Sequence, residues 1–189
     1  MAKENAGRRD EWGTPKELFK TLDREFGFVL DVAANRHNRK CARYFGPDHP
    51  VAANRDGLAA PWAPHTCWLN PPFSDLAPWL SKAWRESKKG ATVVALVPGD
   101  TSTRWWAEHA MRAQEIRFLI GSRVEFIPPP DIKASSNTGP TTLLVYRPML
   151  KRTRPITVYW SWWDDVAGLD RQREPDRTPA RERLHRSTC

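Results

Sequence analysis

Residues 91–98 read Ala-Thr-Val-Val-Ala-Leu-Val-Pro, a nearly unbroken apolar run. A strand with one wet face alternates apolar and polar residues, whereas a strand apolar at consecutive positions is covered on both faces, as in a parallel sheet. A second run of this kind, Phe28-Val-Leu-Asp-Val-Ala33, reads as another buried strand. Shorter strands are expected at Thr66 to Leu69, Glu115 to Leu119 and Thr141 to Tyr146, with an extra strand within 151–163 at Ile156 to Trp160. Between them lie helical patterns. Pro15 to Phe26 places Leu18, Phe19, Leu22 and Phe26 on one face, with Thr14 as the expected N-cap, Pro15 at the first helical position and Gly27 closing the helix. Leu76 to Ser87 and Thr103 to Met111 supply two more helices. Alternating strands and helices imply a three-layer α/β fold with helices on both faces of one sheet.

A chain of 189 residues suffices for one domain with a real core and a tail. That domain is expected over residues 10–150. Residues 1–11 are polar and expected to be mobile, 34–65 are loop-rich, and 128–140 read as a surface loop. From Asp164 to Cys189 the text is Arg, Asp, Glu and Pro with almost no apolar content, the composition of a disordered charged tail. No run approaches the ~18 apolar residues of a membrane span, and the start lacks the apolar segment of a signal peptide. Cys41, Cys67 and Cys189 form no CxxC pair, so reduced thiols in a cytoplasm are expected, with no membrane partner. His37 with Cys41 and His65 with Cys67 match no common zinc spacing, and no metal is expected.

Thirty basic against 22 acidic side chains leave a formal charge of +8, which points to a polyanionic partner. The basic residues cluster at Arg36, Arg39, Lys40 and Arg43 and again at Arg147, Lys151, Arg152 and Arg154. The ten tryptophans serve either as core or, beside a pocket, as platforms for stacked bases.

In open α/β sheets ligands bind beyond the carboxyl ends of the strands. Three such ends carry unusual residues here. The first strand ends at Asp31 with small Ala33 and Ala34 behind it; the third ends at Pro98-Gly99-Asp100, ahead of Thr103, Arg104 and Trp105. The second ends at Asn70-Pro71-Pro72-Phe73. An amide followed by two prolines offers an acceptor side chain and a backbone carbonyl that no following N–H ties up locally. A phenyl ring beside them can stack on a planar ligand.

The ordered series Trp12-Gly13-Thr14-Pro15, Leu30-Asp31-Val32-Ala33-Ala34, Cys41 to Phe45, Asp56-Gly57-Leu58, Trp62, Asn70-Pro71-Pro72-Phe73 and Thr103-Arg104-Trp105-Trp106 resembles the phage-type (Dam-type) DNA N6-adenine methyltransferases, over about residues 10 to 148. The resemblance implies an abbreviated Rossmann-like methyltransferase sheet, S-adenosyl-L-methionine (AdoMet) as cofactor and DNA as partner. Trp12, Thr14 and Pro15 would lie against the cofactor, the last two at its methionine part. Asp31, Ala33 and Ala34 would mark the cofactor turn, and Asp56 would take the cofactor's adenine amino group. Asn70 and the Pro71 carbonyl would accept the hydrogens of the target amine, with Pro72 fixing the turn and Phe73 stacking on the flipped base. Arg104, Trp105, Arg123 and the 128–140 loop would contact DNA. The turn Asp31-Val-Ala-Ala-Asn35 carries no glycine, and the interval before Asn70 leaves room for only one or two short strands.

Three other readings share these residues. Cytosine-N4 methylation of DNA and methylation of a protein glutamine use the same kind of pocket on a planar amine or amide. A non-catalytic DNA-binding protein on the same fold would use the charge and the tryptophans but has no need for the Asn70-Pro71-Pro72-Phe73 acceptors.

Overall fold

The computed structural model describes residues 10–132, 139–148 and 154–165. The expected mobile start and charged tail lie largely outside the described residues, as do Lys151 and Arg152 of the second basic cluster. Seven strands, β1 (Leu30–Asp31), β2 (Arg43–Tyr44), β3 (Thr66–Leu69), β4 (Thr92–Pro98), β5 (Glu115–Leu119), β6 (Thr141–Tyr146) and β7 (Ile156–Trp160), form one mixed sheet. Their order is β2-β1-β3-β4-β6-β5-β7. β2, β1, β3 and β4 pair in parallel, β6 runs antiparallel between β4 and β5, and β7 is parallel to β5. The loops after β1, β3, β4 and β5 therefore leave the sheet at one end.

The alternation along β4 shows why it is apolar at consecutive positions. Val93, Ala95 and Val97 join Leu144 and Tyr146 of β6 in one core, beneath Leu76, Leu80 and Ala83 of α2 (Leu76–Lys88) and Trp106 of α3 (Arg104–Glu108). Val94 and Leu96 join Leu143 and Val145 in the other, beneath Leu18, Phe19 and Leu22 of α1 (Lys16–Phe26). Helices thus cover both faces. Each fully buried leucine contributes about 2 kcal/mol of apolar burial. Pro78 falls in the first turn of α2, where its missing N–H has no intrahelical partner to lose.

Most boundaries follow the sequence; β4 starts one residue late and α2 runs one residue long, and three other elements depart in more informative ways. α1 starts one residue late: Pro15, extended at ψ 140°, takes the N-cap position, and the hydroxyl of Thr14 makes no capping bond. That hydroxyl is buried instead. Gly27 does close the helix, at φ 65° with its N–H on the Asp23 carbonyl. The strand expected over 28–33 shrinks to Leu30–Asp31, though Val29 and Val32 still donate to the Thr66 and Trp68 carbonyls of β3. The helix expected over 103–111 breaks at His109 into a 3₁₀ turn, Ala110–Arg112, and the Tyr146 hydroxyl takes the His109 carbonyl at 3.0 Å.

Candidate active site

β2 lies on one side of β1 and β3 on the other, so the chain reverses its direction of travel across the sheet between them. The carboxyl ends of β1 and β3 flank this switch point, where α/β sheets open a crevice. A cavity of about 290 Å³ opens here, lined by Ala33, Ala34, Phe45, Gly46, Asp56 and Gly57 among others, with Pro72 and Trp79 on the β3 and α2 side.

The cavity wall is set by close backbone approach. A Cβ added at Gly46 would lie 1.5 Å from the Ala34 carbonyl oxygen, and one at Gly57 would lie 2.1 Å from that of Val32. Only glycine fits at either position. The turn after β1 lacks glycine because the residues that pack against it supply it. The Trp62 indole donates to the Gly57 carbonyl at 2.8 Å and its ring stacks on Trp79, fixing that side of the wall. Phe45, Gly46, Gly57 and Trp79 carry no local motif as cavity residues; Phe45 and Gly57 stand only inside the quoted series.

Asp31 does not line this cavity. It is buried, and its oxygens accept the N–H groups of Lys40 at 2.9 Å and Ala33 at 3.4 Å, pinning the loop after β1. Burial pushes its carboxyl up to about 6, against the opposing pull of those two N–H groups and the Lys40 charge. Ala33 and Ala34 do line the cavity, as does Asp56, whose Oδ1 accepts from the N–H groups of Leu58 and Ala59.

Asn70 stands directly beyond β3. Its Nδ2 donates to the Trp12 carbonyl at 3.0 Å. A carbonyl can only accept, so this bond fixes which way the amide faces. Oδ1 then points away from it, buried and without a partner. Trp12 Nε1 and Thr14 Oγ1, from the segment that holds Asn70, are likewise buried and unpartnered. A donor, a hydroxyl and an acceptor are thus buried with their hydrogen-bonding capacity unused, and none of the three residues lines the cavity. Pro71 is buried, Pro72 reaches the cavity, and the Phe73 ring is 37% exposed, edge-on to Phe126 at 5.6 Å.

Arg104 and Trp105 lie on α3, after the carboxyl end of β4, and Arg123 follows β5, so all three share this end of the sheet. Arg104 is exposed and pairs with Glu108 at 2.6 Å; Trp105 packs against Trp106. Neither Arg104, Trp105 nor Arg123 lines the cavity. Among the described residues no helix is long and apolar enough to cross a membrane, and no three metal-ligating side chains gather.

An α/β sheet with a cavity at its switch point has the architecture in which enzymes and binding proteins of this class take their ligands. The particular family is clear from the chain as a whole. Residues 2–165 match the DNA N-6-adenine-methyltransferase (Dam) family, and the chain belongs to it. It is 31% identical over 154 residues to the DNA N-6-adenine-methyltransferase of Haemophilus phage HP1 (strain HP1c1), covering 78% of this chain and 86% of that protein. It is 30% identical over 121 residues to the DNA N-6-adenine-methyltransferase of Escherichia phage T1, covering 63% of this chain and 48% of that one.

Proposed function

We propose that the chain transfers a methyl group from AdoMet to the N6 amine of adenine in DNA, with the adenine turned out of the helix stack. The observation that carries this reading is the buried, unpartnered Oδ1 of Asn70, held in that orientation by the Trp12 carbonyl. A buried acceptor left open costs about 1–3 kcal/mol, a cost a structural amide would avoid by pairing.

The lone pair of an exocyclic adenine amine is delocalised into the ring, which makes the nitrogen a poor nucleophile. Asn70 Oδ1 accepts one of its hydrogens and the Pro71 carbonyl the other. Drawing both hydrogens toward a tetrahedral arrangement localises the lone pair on nitrogen, so positioning and electrostatics carry the catalysis. Phe73, exposed next to the cavity-lining Pro72, stacks on the base.

The cavity suits AdoMet: Ala33, Ala34 and Pro72 give close, apolar walls, and Asp56 keeps Oδ2 for a donor such as an adenine amino group. Thr14 Oγ1 and Trp12 Nε1, buried without partners on the segment that follows the cavity-lining Asp10 and Glu11, are the groups this reading assigns to the polar end of the cofactor. When bound, AdoMet supplies an electrophilic methyl group. The formal charge of +8 draws the chain to the DNA backbone, and Arg104, Trp105 and Arg123 contact it around the site.

The test is incubation with labelled AdoMet and unmethylated DNA, followed by digestion to nucleosides. Label is expected in N6-methyladenine. Label in N4-methylcytosine would replace adenine by cytosine, label in protein alone would favour a glutamine substrate, and DNA binding without any transfer would leave a non-catalytic binder.

A further inference from the structure

We propose that Asp10 is a positioning residue: it holds the far end of the acceptor loop in the geometry transfer needs and ties that loop to the wall of the cavity. The inference rests on the function proposed above. Residues 70–73 contain two prolines, so two of the backbone N–H groups that could anchor the loop are missing. The loop is instead bracketed by one segment from the start of the chain. At its beginning, the Trp12 carbonyl accepts the Asn70 amide at 3.0 Å. At its end, Asp10 accepts from Ser74 twice, Oδ1 from the backbone N–H at 3.1 Å and Oδ2 from the hydroxyl at 2.5 Å.

The same segment is fastened elsewhere. The Glu11 carbonyl accepts the Asn38 amide at 3.1 Å, and Gly13 exchanges two backbone bonds with Ile127, each 2.8 Å. Asp10 and Glu11 also line the cavity. One short stretch therefore touches the loops after β1, β3 and β5 and forms part of the cavity wall. Ser74 is exposed, so the paired bonds from Asp10 add little to global stability. Their consequence is geometric. Phe73 sits between the two tethers, and a shift of about 1 Å in such a loop can cost about 100-fold in rate.

The test uses the full chain as wild type, Asp10→Ala, Asp10→Asn, Ser74→Ala and the Asp10→Ala/Ser74→Ala double variant. For each, kcat and KM for AdoMet are measured by methyl transfer to unmethylated plasmid DNA, alongside the melting temperature. Asp10→Ala should lower kcat by roughly tenfold or more, and Ser74→Ala by a smaller factor with KM for AdoMet unchanged. The double variant should be no worse than Asp10→Ala, because the two residues act as one unit. Asp10→Asn should recover most of the rate, since its amide can accept the Ser74 N–H and donate to the hydroxyl. Melting temperatures should stay at the wild-type value. Full kcat in Ser74→Ala, additive losses, no recovery in Asp10→Asn, or losses that track melting temperature would each overturn the positioning role. A wild-type protein that transfers nothing overturns the functional reading and this inference with it; active wild type with unaltered variants overturns this inference alone.

Discussion

Two buried polar centres in this molecule are built in opposite ways. At Glu86 on α2, every oxygen is used: Oε2 accepts the N–H groups of Trp62 and Ala63 at 2.9 and 3.1 Å, and Oε1 pairs with Lys82 and Lys89 at 3.1 and 3.0 Å. At the end of β3, Trp12 Nε1, Thr14 Oγ1 and Asn70 Oδ1 are buried with no partner. The chain fully satisfies the Glu86 carboxylate, the harder kind of group to bury, yet leaves these three uncharged groups unpartnered, as it does Asp48 Oδ1, His109 Nδ1 and Thr142 Oγ1 elsewhere. The first centre holds α2 to the loop before β3. The second is spare hydrogen-bonding capacity, on residues next in sequence to Glu11 and close to Pro72, which line the switch-point cavity.

If that contrast is right, the two centres respond to substitution with opposite signs. Glu86→Ala strips two backbone N–H groups of their acceptor and leaves Lys82, whose side chain is 8% exposed, without its counter-charge. Denaturant unfolding should show a loss of about 3–5 kcal/mol. An unchanged midpoint would mean that Glu86 is no structural anchor.

Acid sharpens the same point. Burial pushes the Glu86 carboxyl up, but the bonds from Trp62, Lys89, Ala63 and Lys82 together outweigh it and hold the group at about 2. A depressed carboxyl contributes stability above its ordinary value of 4.5, lost as pH falls from there through about 2. Roughly 3 kcal/mol should disappear across that window in wild type, and Glu86→Gln should flatten this limb. Asp31 runs the other way. Raised to about 6, it contributes fully below its ordinary 3.8, and its contribution fades as pH rises through about 6.

At the open centre, Thr14→Val removes a buried hydroxyl that has no partner and keeps its shape. Unfolding should be unchanged or up to about 1 kcal/mol harder. Calorimetric titration with AdoMet should show about fivefold weaker binding, the value of one ordinary hydrogen bond. A destabilised Thr14→Val protein with full AdoMet affinity would make Thr14 a structural residue like Glu86.

The sequence made the framework legible and hid the connections. Strands β3, β5, β6 and β7 have the bounds expected of them, because Pro71 stops β3 and β-branched, aromatic and leucine residues concentrate in the others. The Asn70-Pro71-Pro72-Phe73 turn stood out for the same local reason. Thr14 satisfies the local rule for a cap before proline, but the bonds between Gly13 and Ile127 fix the path of its segment from outside, where that rule does not reach. The tether from Trp12 to Asn70 spans 58 positions and has no local signature. Gly46 and Gly57 pack against carbonyls of the turn after β1, so the glycines of the cavity lie outside the turn where a motif would place them.

The central claim is that Asn70 Oδ1 stands open for the methyl-accepting amine, and Asn70→Ala measures it most directly. Transfer to DNA should fall by about 10²–10³-fold, as for loss of one preorganised hydrogen-bonding group at a reacting centre, while calorimetric binding of AdoMet persists. Wild-type transfer rates in Asn70→Ala, or a loss of transfer explained by a loss of AdoMet binding, would contradict it.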